Sequence, residues 1–204
     1  MTPASFLPSP VGLAIVLIAY MIGTIPFGVM VARWKGSPDP RTRGSGNIGC
    51  TNVLRVAGKR AAALTLGMDA AKGALAVWAA GALMGTTAWA EASGIAAVAG
   101  HVFPLWARFR GGKGVATGIG ALLVLSPATA FSVIGIWVLV LSVSRYVSLA
   151  SVIAAAALPV AAIFLRAGSP VFASVVAAMI IFRHRENLMR LRHGTEAKLG
   201  AQVR

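Results

Sequence analysis

Residues 11–32 read VGLAIVLIAYMIGTIPFGVMVA, 22 positions without Lys, Arg, Asp, Glu or His. A helix needs about 20 mostly apolar residues to cross the hydrocarbon of a bilayer, so Val11–Ala32 is expected to be the first of several spans. Pro26 lies inside it, with Gly23 and Gly28 nearby, and a kink or local unwinding is expected there. The rest of the chain has the same character. Of its 204 residues 57% are hydrophobic and only 12% charged, roughly half the charged share of a soluble domain. The surplus of apolar side chains calls for lipid. The first cationic residue is Arg33, so the N-terminus lacks the basic region of a cleaved signal peptide, and a retained span is expected.

Further spans are expected over 61–84, 88–107, 115–124, 128–142, 146–165 and from Pro170 past Phe182. The 115–124 segment is short, with Pro127 marking a turn after it, and Pro170 suits the first turn of its helix. Seven alternating crossings with the N-terminus outside place 17 of the 19 Lys and Arg on the inner side, leaving out Lys72 and Arg166. That bias agrees with the positive-inside rule. The expectation is therefore an all-α, polytopic integral membrane protein. It has seven transmembrane helices, an outside N-terminus and a cytoplasmic C-terminus, and forms one domain over 1–204 with a short cytoplasmic tail. A net charge of +14 invites a nucleic-acid reading, but the cations sit in short tracts between apolar runs and no RNA- or DNA-binding motif accompanies them. The single cysteine, Cys50, excludes an internal disulfide, and the three histidines have no metal-ligand spacing. No metal, cofactor or obligate protein partner is expected.

Four polar constellations can carry chemistry. In Arg43–Asn52 (RGSGNIGCTN) closely spaced glycines let backbone N–H groups converge on a small anion, while Ser45, Asn47, Thr51 and Asn52 add directed donors and Arg43 a charged fork. The bland alternative is a flexible interfacial loop. In His101–Thr117 (HVFPLWARFRGGKGVAT) the Gly111–Gly112 pair allows close backbone approach and Lys113 supplies a point charge. Arg108 and Arg110 read equally as contacts with anionic lipid, and Phe103, Trp106 and Phe109 as interface anchors. Asp69 and Lys72 are three apart on one helical face, inside an apolar run; a buried structural ion pair beside the site is the leading reading and substrate contact the other. In His184–Glu196 (HRENLMRLRHGTE) a continued helix puts His184, Asn187 and Leu191 on one face with Arg190 one turn beyond, against the alternative of a basic tail lying on lipid.

These stretches carry a resemblance. YMIGTIPFG, RTRGSGNIGCTNVLR, GMDAAKG, GHVFPLWARFRGGKGVAT and HRENLMRLRHGTE together resemble the bacterial acyl-phosphate:glycerol-3-phosphate acyltransferases, the PlsY family. Cys50 departs mildly, standing where alanine is usual. The resemblance implies seven spans in the bacterial inner membrane and an active site facing the cytoplasm. It also implies acyl transfer from a long-chain acyl phosphate to the 1-hydroxyl of glycerol 3-phosphate, giving lysophosphatidic acid and phosphate, the first acylation of phospholipid synthesis. It places Arg43, Ser45, Asn47, Thr51 and Asn52, then His101, Gly111, Gly112, Lys113 and Thr117, then His184, Asn187, Arg190 and Glu196 around the substrates.

Such chemistry needs alignment, carbonyl polarisation and removal of one hydroxyl proton. His184 is the first candidate to orient substrate or accept that proton and His101 the second; a phosphate oxygen of either substrate is the alternative. Ser45 reads as a phosphate or oxyanion donor, because no base can be assigned to it, and Asn187 joins these three as a candidate in the catalytic centre. The rival readings are a small transporter, favoured by kinked spans and Asp69 and Lys72 in the membrane, and a structural membrane protein, which leaves the polar signatures unexplained.

Overall fold

The computed structural model describes residues 9–167 and 169–200; the N-terminal residues 1–8, part of the segment read above for a signal region, lie outside that set. Among the described residues the chain is entirely helical. Its helices are α1 (Pro10–Gly23), α2 (Phe27–Trp34), α3 (Cys50–Met84), α4 (Thr87–Val102), α5 (Val115–Leu125), α6 (Pro127–Ser144), α7 (Val147–Phe164), α8 (Pro170–Arg183) and α9 (Arg185–Arg192), with a 3-10 turn at Leu105–Ala107.

Local chemistry sets several boundaries. Ser9 caps α1 by accepting the Gly12 N–H at 3.0 Å, and Pro10 occupies the first turn, where a missing N–H costs nothing. Ser169 and Pro170 begin α8 in the same way, with the Phe172 N–H donating to the Ser169 hydroxyl. The helical run from Pro10 to Trp34 breaks before Pro26, as the proline and glycines lead one to expect. Helix α3 runs for 35 residues but bends at Gly58, whose φ of 84° lies where only glycine is comfortable. The expected continuation of the last long helix past Phe182 ends at His184, which separates α8 from α9.

Helix α3 is the spine. It packs against α1, α2, α4 and α5, while α6, α7 and α8 pack in sequence and rejoin the rest through α4 and α5. The α3–α5 crossing depends on two glycines. A Cβ at Gly73 would stand 2.0 Å from the Thr117 carbonyl oxygen, and one at Gly120 would stand 1.9 Å from the Ala70 carbonyl oxygen. Backbones at α3–α5 therefore meet directly, as small residues permit in apolar surroundings. A core of Val77, Val98, Leu122, Phe172, Val176 and Ile180 joins α3, α4, α5 and α8. Outward-facing Leu17, Leu139, Val143, Phe164 and Val171 leave a broad apolar surface, which water would penalise and lipid accepts.

The seven-span expectation is corrected. Among the described residues three stretches are long and apolar enough to cross a membrane: Pro10–Trp34, Pro127–Ser144 and Val147–Phe164. Helix α5 has 11 residues and α8 has 14, so at about 1.5 Å per residue they fall well short of a hydrocarbon core roughly 30 Å thick. Helix α4 stops at Val102 after 16 residues, not at Ala107. The orientation with the N-terminus outside and the C-terminus in the cytoplasm rests on seven alternating crossings and loses that basis. Apolar composition was read as length; in the structure much of it covers neighbouring helices instead of lipid.

The α3–α5 crossing yields a stability test. Gly120→Ala is expected to lower the melting temperature in detergent, by the 1–3 kcal/mol typical of overpacking. Gly67→Ala, exposed on α3 with nothing within 4 Å of its added Cβ, is expected to be neutral or stabilising. Equal melting temperatures for the two variants would show that this crossing is not tight.

Candidate active site

The first glycine-rich tract is wound around one side chain. Asn52, on the first turn of α3 and 2% exposed, accepts the Ser45 N–H at 2.8 Å through Oδ1. Its Nδ2 donates to the carbonyls of Pro40 (2.8 Å), Arg43 (3.0 Å) and Asn47 (2.8 Å). A Cβ at Gly44 would stand 2.2 Å from that Oδ1, so glycine there lets the loop close on the amide. Asn47 in turn accepts the Gly49 N–H at 2.9 Å. Asn52 thus shapes the loop, leaving the Ser45 and Thr51 side chains at the cavity it borders.

The second tract is strapped on both sides. The Gly111 and Gly112 N–H groups donate to the Val102 and His101 carbonyls at 3.2 and 2.9 Å. On the other side Arg183, at the end of α8, donates to the Gly111 and Gly112 carbonyls at 2.8 and 3.1 Å. So held, the strap presents Lys113, whose ammonium donates to Asn187 Oδ1 at 2.6 Å. Asn187 Nδ2 donates to Glu196 Oε1 at 2.6 Å, Ser148 of α7 donates to the same oxygen at 2.7 Å, and Arg190 Nε donates to Oε2 at 2.7 Å. A continuous network therefore runs from Lys113 into the His184–Glu196 tract as far as Arg190. Leu199 N–H donates to the Arg145 carbonyl at 2.8 Å, fastening the segment after Glu196 over the α6–α7 turn.

These elements enclose a cavity of about 640 Å³. Ser45, Asn47, Thr51, Asn52, Asp69, His101, Lys113, His184, Asn187, Arg190 and Glu196 all line it. Sequence reasoning thus named residues from four separate segments that fold to one place. Gly111 and Gly112 stand behind Lys113, and Arg43 is exposed on the loop outside the lining. Thr117 is fully buried near the α3–α5 contact, away from the cavity. Arg55 and Ser148 line the cavity and were missed. Arg55 lies one helical turn beyond Thr51 and Asn52, a spacing that could have revealed it. Ser148 sits in an unremarkable apolar helix and gave no signal.

The cavity has two kinds of wall. Lys113, Arg55 and Arg190 supply cations, with Arg55 and Arg190 near enough to act on the Lys113 charge, while Ala62, Leu66, Trp137, Leu141 and Val147, from α3, α6 and α7, supply apolar surface. Among the described residues no three His, Cys, Asp or Glu side chains gather as a metal site would require.

Charge states follow from burial and neighbours. Burial pushes the Lys113 ammonium down to about 8; Glu196 opposes this, and Arg190, Arg183 and Arg55 reinforce it. Burial also takes His184 down to about 4, with the Lys113 charge adding to the shift and the Ile180 carbonyl opposing it. His184 is neutral at neutral pH. Its Nδ1 lies 2.8 Å from the Ile180 carbonyl; a carbonyl can only accept, so Nδ1 carries the proton and Nε2 offers a lone pair. Burial alone would raise Glu196, but hydrogen bonds from Ser148, Asn187 and Arg190 outweigh it and hold the carboxyl below its usual range.

Comparison with known proteins places this geometry in context. A family model described as glycerol-3-phosphate acyltransferase matches residues 13–194. The glycerol-3-phosphate acyltransferase of Bordetella pertussis is 44% identical over 198 residues, covering 92% of this chain and 91% of its own. That of a Jannaschia species is 49% identical over 185 residues, covering 90% and 91%. Two crystal structures of PlsY (YgiH), an integral membrane glycerol 3-phosphate acyltransferase, superimpose on the chain. The glycerol 3-phosphate form does so with a TM-score of 0.87 at 38% identity, and the lysophosphatidic acid form with 0.85 at 36%; each covers 93% of this chain and 96% of the crystallised one.

The Asn52 clamp can be tested apart from activity. Asn52→Ala removes the hydrogen bonds of a buried amide to the loop, each worth about 1 kcal/mol. Trypsin is expected to cleave after Arg41 and Arg43 roughly tenfold faster or more than in the parent protein, while the helical signal and the bundle's melting temperature change little. Equal cleavage rates would mean that other contacts hold the loop.

Proposed function

The chain belongs to the glycerol-3-phosphate acyltransferase family, and from that premise we infer that it moves a fatty acyl group from acyl phosphate to the 1-hydroxyl of glycerol 3-phosphate, releasing lysophosphatidic acid and phosphate. It is a multi-pass protein of the bacterial inner membrane and acts in phospholipid synthesis. A single acyltransferase domain performs the reaction.

One observation carries the reading: cationic and apolar side chains line one cavity. Both substrates bring phosphate, and one also brings a long hydrocarbon chain. Lys113, Arg190 and Arg55 hold the phosphates, with Ser45, Asn47 and Thr51 donating around them. The acyl chain lies along Leu66, Trp137 and Leu141. A transporter reading leaves the match to the acyltransferase family unexplained.

The reaction then needs little from the protein beyond placement. The 1-hydroxyl oxygen attacks the acyl carbonyl carbon, an ester C–O bond forms, and the bond from that carbon to the phosphate oxygen breaks. Phosphate departs with the electron pair. His184 Nε2 accepts the hydrogen bond of the attacking hydroxyl and aims it. An imidazole whose conjugate acid is held near 4 is a weak base, so the proton passes to a phosphate oxygen. Asn187 keeps Lys113 in place through its Oδ1 and Glu196 through its Nδ2, and Asp69 and Lys72 support the cavity floor.

Purified protein in detergent or lipid, given glycerol 3-phosphate with either a long-chain acyl phosphate or acyl-CoA, is expected to form lysophosphatidic acid from the acyl phosphate. Product from acyl-CoA alone would keep acyl transfer and remove the donor assignment. No product from folded protein with either donor would return the question to transport.

The Lys113 environment adds a pH prediction. Its ammonium is charged below about 8 in the folded protein and neutral above, so kcat/KM for glycerol 3-phosphate should fall as pH rises through about 8. Lys113→Arg, which stays protonated, should weaken the reaction but remove that alkaline fall. An unchanged alkaline limb in the variant would assign the titration to another group.

A further inference from the structure

Under the floor of the cavity lies a buried cation that no step above employs. Lys72, on α3 and 3% exposed, donates to the Ile25 carbonyl at 2.9 Å and contacts His101 Nδ1 at 2.8 Å. Asp69 Oδ1 lies 2.7 Å from the same ammonium. An ammonium has three protons and cannot accept, and three acceptors surround this one. The hydrogen bond at His101 therefore runs from Lys72 to Nδ1, whose lone pair is used. Asp69 Oδ1 is 3.5 Å from Nδ1, too far to compete for a proton there.

A neutral imidazole with Nδ1 as acceptor must carry its proton on Nε2. Nε2 has no hydrogen-bond partner among the described residues, and the ring lines the cavity. Gly112 sits against that atom: a Cβ there would stand 2.0 Å from Nε2. Gly112 does not occupy a backbone conformation reserved for glycine, so glycine is needed there because the backbone packs against the Nε2 edge of the ring, where any side chain would collide. His184 shows the opposite arrangement, with Nδ1 donating to a carbonyl and Nε2 bare. One cavity thus holds two neutral histidines of opposite tautomer, one presenting a lone pair and one an N–H.

We propose that Lys72 is a positioning residue that fixes the Nε2–H tautomer of His101, and that this N–H donates to the acyl carbonyl oxygen of the acyl phosphate as charge develops on it. The proposal rests on the acyltransfer reading. A neutral donor suits a carbonyl, which becomes anionic only near the transition state, whereas the phosphates find their partners among the cations. Asp69 balances the Lys72 charge so that the ammonium can remain buried. Glycine at 112 keeps a side chain off the donor.

The first measurement is made on the unmodified protein. Nitrogen-15 NMR of histidine-labelled protein in lipid, with His101 assigned by loss of its signals in His101→Gln, reads which ring nitrogen holds the proton. A protonated Nε2 and a bare Nδ1 are expected; the reverse would overturn the proposal whatever the activity. In kinetics, His101→Leu should lower kcat by about 10²-fold or more, the usual effect of losing one such donor, with KM for glycerol 3-phosphate within about twofold. His101→Gln, which can still present an N–H, should recover part of that loss. An undiminished kcat in His101→Leu would remove the donor role. Lys72→Met should move the His101 proton to Nδ1 and lower kcat in the same way; if that variant fails to fold, the tautomer in the parent protein and the two His101 variants still decide the matter. A folded parent protein inactive with acyl phosphate would overturn the acyltransfer reading, and the donor role with it, while the tautomer would stand as measured.

Discussion

A buried ammonium must be surrounded by acceptors or it will not stay charged, and Lys72 meets that demand by drawing on three separate elements. The Ile25 carbonyl can accept from Lys72 because the helical run breaks at Pro26 and that oxygen meets only the Phe27 N–H, at 3.1 Å, instead of an i+4 helical donor. Asp69 comes from one turn earlier on α3, and His101 from the end of α4. The kink in the first apolar segment, the α3–α4 pairing and the glycine strap on His101 therefore depend on a single group. Removing the ammonium alone would leave the Asp69 carboxylate buried without its counter-ion, a loss of about 3–5 kcal/mol. The same contact that holds the helices together orients an imidazole at the cavity.

The remaining polar residues follow a similar rule: each loop is closed by side chains from a distant part of the chain. Asn52 gathers the first tract, Arg183 holds the second, and Glu196 ties the third to α7 through Ser148. Glycine is used where one chain must lie directly on another group, as at Gly44 over Asn52 and Gly112 over His101. The result is a rigid arrangement of donors around a cavity whose cations are only partly satisfied by the protein's own carboxylate. Such a site is preorganised for anions.

Much of this was legible in the sequence because chemistry-bearing residues are conspicuous in apolar surroundings. The pairing of Asp69 with Lys72 followed from their spacing, and the three signatures identified most of the cavity lining. The span count was not legible. Hydropathy reports what a side chain prefers, and Val115–Leu125 or Pro170–Arg183 satisfy that preference by covering Val98, Phe172 and their neighbours in the core. Composition alone cannot separate a helix facing lipid from one facing protein. Residues whose roles depend on tertiary contact were also hidden. Ser148 looks like any small residue of α7, and nothing local marks Asn52 as the centre of its loop instead of one more donor on it.

The short helices have a functional consequence. A full-length span would carry its polar ends to the membrane surface, where water competes for every phosphate. Helix α4 ends early at Val102, α5 begins only at Val115 and α8 ends at Arg183, and the chain between the first two and after the third supplies Lys113 and His184. Their side chains line the same cavity as Asp69, which lies well inside α3. The polar site is thereby recessed among apolar walls, where charges act with less screening and an acyl chain need not leave the hydrocarbon to bring its carbonyl to the glycerol hydroxyl. The cost of that recess is desolvation, and it is visible in Lys113 and His184, both held below their ordinary pKa by burial. A lysine poised near neutrality and an imidazole that stays uncharged are consequences of ending the helices inside, and they make phosphate binding and hydroxyl alignment available from residues that would titrate ordinarily at the surface.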